Sequence, residues 1–412
     1  MVGRLRELLK NVRPFKYSAM RRKWKDNSAD LLDTFLYVKY NLAYESPEIY
    51  ALCQKVKGRG EMNRRIPFVE NELKVIDQIP GFLNSPPSPL RNTPVSSKEN
   101  IAAMFFDKHP YWCPIPVDSA MLTTPLYNDK LGRGSAKDTT DVFGIEWEYI
   151  AAVGGAIVRP GEPFMSDVNE WKDKIKFPNI DEWDWAGAAE EAKFDRRLSN
   201  QLSFVNGFWF ERLISLMDFA PAALALIDDE QKPAIHELFE AMTQFGMKLV
   251  DKFIEYWPGL DGFNVHDDWG AQKAPFFSQA TAYELFVPYM KALTDHIHSK
   301  GRYATLHSCG HTEDRIQCYI DGGFDQWSPQ LMNDTHALYD AFGDKIIISV
   351  VPTPFDPEKT SVEEQRRLAR EHVDRFCKPG KPSEISNYGR AALTPAFSDE
   401  LYEYSRKVYG GF

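Results

Sequence analysis

The chain has 412 residues, 49 Lys and Arg against 59 Asp and Glu, and a formal net charge of -10. An acidic balance of this size argues against a polyanionic partner, so nucleic acid binding is not expected. No apolar run approaches the roughly 20 residues that span a bilayer, and Met1-Val2-Gly3-Arg4-Leu5 lacks the apolar core of a secretory signal, so no membrane association and a cytoplasmic location are expected.

The length suits two average domains or one large α/β barrel with an extension. The five cysteines, Cys53, Cys113, Cys309, Cys318 and Cys377, are odd in number and scattered, which predicts free thiols rather than a disulfide framework. Cys318 and Cys377 are read as buried structural thiols.

Residues 1–95 open with a basic cluster from Arg4 to Lys25 and continue with helical patterning through Leu31–Leu36. They are read as a helical amino-terminal extension whose basic cluster is a solvated face. Pro86-Pro87-Ser88-Pro89-Leu90 reads as a linker. From residue 96 to 412, short β-rich runs alternate with long helical segments, the pattern of repeated βα units and a parallel sheet.

The candidate strands are Trp112–Val117, Ala156–Arg159, Leu202–Asn206, Gly262–His266, Tyr303–Leu306, Phe324–Trp327, Ile346–Val351 and Ile385–Tyr388. Helices are expected at Pro233–Tyr256, Ala280–Lys300, Glu313–Asp321 and Val362–Cys377, and Asp167–Asp184 reads as an insertion over one mouth. Eight βα repeats over this length predict a (β/α)8 TIM barrel of the α/β class.

In such a barrel the chemistry lies just past the carboxyl ends of the strands. His307-Ser308-Cys309-Gly310 follows the apolar run Tyr303–Leu306, and in extended chain residues two apart point the same way, so one cation can touch both His307 and Cys309. Zinc normally takes at least three protein ligands, and the third is unknown. The competing reading is a strand-end pair that hydrogen-bonds the barrel mouth, or His307 as a general acid.

Asp267 and Asp268 follow another strand, either as catalytic carboxylates or as a turn that caps the next helix; adjacent in extended chain, one is expected to face the cavity and the other to brace the loop. Gln272, Asn206, Gln326 and Asn387 are candidate substrate-orienting amides. Trp269 and Trp327 are candidate aromatic substrate contacts within an apolar cavity. His266 and His311 are read as ordinary loop histidines.

The combination of Asp267-Asp268-x-Gly-x-Gln, Pro288 in Leu285-Phe286-Val287-Pro288, a strand ending His-x-Cys-Gly and the turn Ile320-Asp321-Gly322-Gly323-Phe324-Asp325 resembles the uroporphyrinogen decarboxylase superfamily, in its cobalamin-dependent methyltransferase branch. Phe143–Trp147, Asp167–Pro178 and Ser97-Lys98-Glu99-Asn100 extend the resemblance, which covers roughly residues 96–410. It implies a barrel enzyme moving a methyl group between a small O-methylated substrate, with aromatic methoxy compounds among the candidates, and the cobalt of a separate corrinoid protein.

It also implies zinc on His307 and Cys309. The family's third ligand, a cysteine after the last strand, is missing from Ile385-Ser386-Asn387-Tyr388-Gly389-Arg390, so a carboxylate such as Asp267 or Asp268 is the alternative. The corrinoid is expected on another chain, because Asp-x-His-x-x-Gly does not occur here; a homo-oligomer is compatible with the extension. The alternative functions are a decarboxylase-like lyase and a non-catalytic barrel that binds a corrinoid protein.

Overall fold

The computed structural model describes residues 66–79, 87–124, 126, 138–151, 155–159, 161 and 163–411. The chain divides into two compact units, Met1–Arg64 with His298–Arg302, and Arg65–Ile297 with Tyr303–Phe412. The basic cluster, the helical patterning at Leu31–Leu36 and Cys53 lie outside the described residues.

The first described elements are the 3-10 turn Glu70–Leu73 and a two-stranded ribbon, not α-helices. β1 (Val75–Ile79) pairs antiparallel with β2 (Ser88–Arg91), so the stretch read as a proline linker is a ribbon edge. Proline is tolerated there because an edge strand can leave one side of its backbone without a ladder. A short turn before the ribbon carries Glu72, which is buried against Arg406 (2.8 Å) and Tyr402 (2.7 Å) on the final helix, Pro395–Gly410.

Helix Ser97–Asp107 starts at a capping box in which Ser96 Oγ accepts from Glu99 N (3.2 Å) and Glu99 accepts from Ser96 N (2.8 Å). It leads into β3 (Ser119–Leu122). The expected strand Trp112–Val117 does not form, since Pro114 and Pro116 have no N–H to donate, and the ladder begins only past the 3-10 turn Pro116–Asp118.

β4 (Thr139–Thr140), β5 (Glu146–Ile150) and β6 (Gly155–Val158) form a separate antiparallel sheet. The candidate strand at Ala156–Arg159 therefore belongs to a local hairpin; the connection from β5 to β6 is too short for the crossover that a parallel neighbour requires.

The main sheet has seven parallel strands, in the order β12-β11-β10-β9-β8-β7-β3. They are β7 (Ser199–Asn206), β8 (Gly262–His266), β9 (Tyr303–His307), β10 (Gln326–Trp327), β11 (Ile347–Val350) and β12 (Glu384–Ile385) with β3. Each strand of this sheet pairs with the next of its own strands in chain order, β3 reaching β7 past the separate antiparallel sheet. At the other edge, Ile385 N donates to the carbonyl of Pro114, in the segment ahead of β3, at 2.9 Å. Beyond Ile385 the expected strand turns into the 3-10 helix Asn387–Ala392.

The helices between strands follow the expected segments, with one break: Gln279–Leu285 and Val287–Ser299 are separate. Pro288 explains it, because it removes a helical donor and crowds the carbonyl one turn back. Helix Lys232–Tyr256 buries Ile235, Leu238, Phe239, Met242, Leu249, Val250 and Phe253 along one stripe, each contributing roughly 1.5–3 kcal/mol relative to exposure.

Strand alternation gives the sheet two unlike faces. Leu202, Phe204, Phe263, Val265, Ala304, Leu306 and Trp327 point outward and are fully buried. Phe204 meets Phe263 edge-on at 5.7 Å, and Trp327 meets Tyr319 of helix Ile316–Asp321 at 5.1 Å. The inner face is polar through its middle, with Gln201, Asn264, Thr305, Gln326, Ser349 and Glu384.

At the amino-terminal ends of the strands the inner face is sealed. Tyr303 and Ile347 pack on Ile101, Met104 and Phe105 of helix Ser97–Asp107, with the Phe105 and Tyr303 rings stacked at 3.8 Å. Gly262 is required at this level, as a Cβ there would stand 2.1 Å from the Tyr303 ring. Among the described residues no helix is long and apolar enough to cross a membrane.

Candidate metal centre

At the opposite, carboxyl ends of β8 and β9, the chain brings His266, Asp268, His307 and Cys309 together, with one donor atom from each lying within 4.8 Å of all the others. His266 and His307 are register partners on neighbouring strands, and their rings stack at 4.8 Å. His307 Nε2 is 3.3 Å from Cys309 Sγ, and His266 Nε2 is 3.6 Å from Asp268 Oδ1. A tetrahedral zinc ion with bonds near 2.0–2.3 Å sets its ligand atoms about 3.4–3.6 Å apart, close to these spacings.

Three members of the cluster, His266, Asp268 and Cys309, are held from outside it. Glu211 Oε2 accepts from His266 Nδ1 (2.8 Å) and from Asp268 N (3.1 Å), so the other ring nitrogen of His266 turns toward the cluster. Asp268 Oδ1 accepts from Cys309 N at 2.6 Å. Gln330 donates from Nε2 to Cys309 Sγ (3.3 Å) and accepts from Gly310 N (2.8 Å).

Gly310 is obligatory. Its φ is +92°, and a Cβ there would lie 2.1 Å from the Gly270 carbonyl oxygen, so the loops after β8 and β9 touch backbone to backbone. Burial and the neighbouring His266 lower the His307 pKa to about 4, which keeps its imidazole neutral, the form that ligates a metal.

The paired aspartates split as adjacent extended residues must. Asp268 joins the cluster. Asp267 points away, fully buried, and accepts from Trp209 N (3.0 Å), Phe210 N (3.1 Å), Glu211 N (3.2 Å) and Trp269 Nε1 (2.8 Å). It caps helix Phe210–Met217 rather than facing a cavity, and burial raises its pKa to about 6. By fixing the first turn of that helix it also sets Glu211, and through Glu211 it sets His266.

The candidate substrate contacts fare differently. Trp269 and Trp327 are fully buried on the outward side, Trp269 against Phe277 (5.2 Å) and Phe286 (5.3 Å), so neither lines a cavity. Their side chains alternate away from the inner face because His266 and Gln326 occupy it. Gln326 is on the inner face but bonds Ser349 Oγ (3.0 Å) and Glu384.

Gln272 is exposed, with no bond to the cluster among the described residues, and Asn387 is exposed and accepts from Arg390 Nε at 3.0 Å. The Asn206 side chain lies outside the described residues. His311 sits apart, near Glu313 at 3.3 Å. Cys318 and Cys377 are buried free thiols.

Three residues escape a reading by motif. His266 looked like an ordinary loop histidine, yet its strand register with His307 places it in the cluster. Glu211 gave one weak signal, a carboxylate in the first turn of the helix after a strand. Gln330 likewise follows a strand end, in Trp327-Ser328-Pro329-Gln330.

Neither a family model nor a curated protein matches the chain. Among solved structures, a methyltransferase from Methanosarcina mazei is similar with a TM-score of 0.44 and 13% identity, over 76% of this chain and 84% of that one. A xylose isomerase-like TIM barrel protein from Mycobacterium smegmatis in complex with magnesium is similar with a TM-score of 0.27 and 13% identity, over 52% of this chain and 74% of that one.

Proposed function

We propose that the protein is a corrinoid-dependent methyltransferase that takes a methyl group from a small O-methylated substrate and passes it to the cobalt of a separate corrinoid protein. The observation that carries this reading is the convergence of His266, Asp268, His307 and Cys309 at the carboxyl ends of two parallel strands. It stands beside the motif resemblance described above. The single bond from Ile385 to Pro114 supports a sheet that closes as a (β/α)8 barrel over residues 96–412.

The donor set fits zinc: two imidazoles, a thiolate and a carboxylate, with a carboxylate on the far nitrogen of His266. We assign His307, Cys309, His266 and Asp268 as the residues that would hold the zinc ion. Zinc bound there would polarise a substrate oxygen and open the attached methyl carbon to attack by a nucleophile. The chain's own residues orient the group: Glu211 fixes the His266 ring, Gln330 fixes the Cys309 sulfur, and the amide of Cys309 anchors Asp268.

The decarboxylase-like alternative is disfavoured, since a polycarboxylate substrate needs cationic partners and none of the seven parallel strands carries a Lys or Arg. An aromatic ether is likewise disfavoured, as Trp269 and Trp327 face outward. The test mixes zinc-loaded protein with reduced corrinoid protein and a panel of methyl ethers and follows methylcobalamin absorbance. Methyl transfer that disappears in His307→Ala and Cys309→Ser is expected; no transfer from any donor would overturn the proposal.

A further inference from the structure

Below the metal-ligating residues the inner face is neither apolar nor filled by branched side chains, as the interior of an α/β barrel ordinarily is. Thr305 lies two residues before His307 and Asn264 two before His266, about 7 Å down the strands at 3.3 Å per residue. Two bonded groups make up this level. In one, Gln201 Nε2 (2.6 Å) and Asn264 Nδ2 (2.8 Å) both donate to Thr305 Oγ1. In the other, Gln326 Nε2 and Ser349 Oγ (2.8 Å) both donate to Glu384 Oε1.

The direction of these bonds matters more than their number. Ionised, the carboxylate of Glu384 accepts only, and Gln326 turns its NH2 toward it. Thr305 takes the NH2 groups of the other two amides. Among the described residues, none donates to Glu384 Oε2, Gln326 Oε1, Gln201 Oε1 or Asn264 Oδ1. Asn264 and Glu384 retain accessible surface although they sit in the interior of the sheet, so the space they line is open.

The belt therefore presents one carboxylate and three amide oxygens, with no Lys or Arg on any of the seven strands. It is closed beneath by the packing of Ile101 and Phe105 on Tyr303 and Ile347.

We propose that this belt binds the non-reacting end of the substrate, and that this end is an organic ammonium group held by Glu384 Oε2 and the amide oxygens of Gln326 and Asn264. The proposal rests on the strand-end cluster being the reaction centre. An ammonium has three N–H donors and no acceptor, which complements the open oxygens of Glu384, Gln326 and Asn264, and its bond to a carboxylate is charge-assisted. A carboxylate or phosphate would face the Glu384 carboxylate with no Lys or Arg on the strands to offset it. A neutral hydrocarbon would leave the open oxygens without partners.

The test uses the full zinc-loaded chain and three probes of one length: 3-methoxypropylammonium, 1-methoxybutane and 3-methoxypropanoate, titrated calorimetrically. The ammonium is expected to bind at least about tenfold tighter than the neutral ether, with the carboxylate weakest. Glu384→Gln should abolish that preference, and Asn264→Leu should weaken the ammonium selectively; thermal unfolding of both variants verifies that they fold.

Equal binding of all three probes, or an ammonium preference that survives in both variants, would overturn the subsite. Zinc content measured on the same samples separates the two readings. Bound zinc without ammonium preference sinks the subsite alone, and ammonium preference in protein that cannot hold zinc sinks the metal centre alone.

Discussion

Glu211→Gln is the substitution that most directly probes how the metal-binding cluster is held together. The side chain is buried, keeps its shape, and can still accept from His266 Nδ1 and Asp268 N, at 2.8 and 3.1 Å in the wild type, through the amide oxygen. What is lost is the charge. A hydrogen bond to an ionised partner is worth about 1.5–3 kcal/mol against about 0.5–1.5 for a neutral one, so the His266 contact weakens by roughly 1–1.5 kcal/mol.

Passed to the metal through the imidazole, that loss predicts about a tenfold drop in zinc affinity, within the range typical of carboxylates behind metal-bound histidines. Competition against a chromophoric chelator measures it. The melting temperature of the metal-free protein should shift by no more than about 2 °C, since a chain of this size loses only a few degrees per kcal/mol. Zinc affinity unchanged within twofold, or an equal loss of stability with and without zinc, would refute the assignment of His266 as a ligand.

Cys309→Ser should remove stoichiometric zinc and with it the rise in melting temperature that zinc gives the wild type, read by calorimetry with and without chelator. Gly310→Ala should destabilise the fold by about 2–4 kcal/mol, because the left-handed φ and the 2.1 Å approach to Gly270 combine; urea unfolding at wild-type midpoint stability would contradict this.

Burial raises the Glu384 pKa from 4.5 to about 7, so the folded state holds a proton that the unfolded chain releases above pH 4.5. The stability from that proton is complete below pH 4.5 and is lost as pH rises to 7, by roughly 3 kcal/mol at most; Glu384→Gln should flatten that part of the profile. Phe105→Ala removes the ring stacked on Tyr303 and should cost about 3–5 kcal/mol by thermal unfolding.

Much of the parallel sheet was legible because its strands are short apolar runs with buried outward faces, and β8, β9 and β11 fall within a residue of the expected spans. Where prolines interrupt the run at Pro114 and Pro116, apolar character without donors misled. At Ala156–Arg159 strand character was read correctly, but pairing depends on the length of the connection, not on composition.

The sequence by itself determined which residues sit at the strand ends: His307 with Cys309, and one aspartate of the Asp267-Asp268 pair facing inward, since both follow from the two-residue period of extended chain. It could not say which aspartate, because that depends on where the amide donors of residues 209–211 lie, at the start of a helix that begins 57 residues before Asp267. Only the tertiary structure placed His266 opposite His307, put Glu211 behind it, and turned Trp269 and Trp327 outward. Register between neighbouring strands and the packing of distant helices decide these positions, and neither is written in any local run of residues.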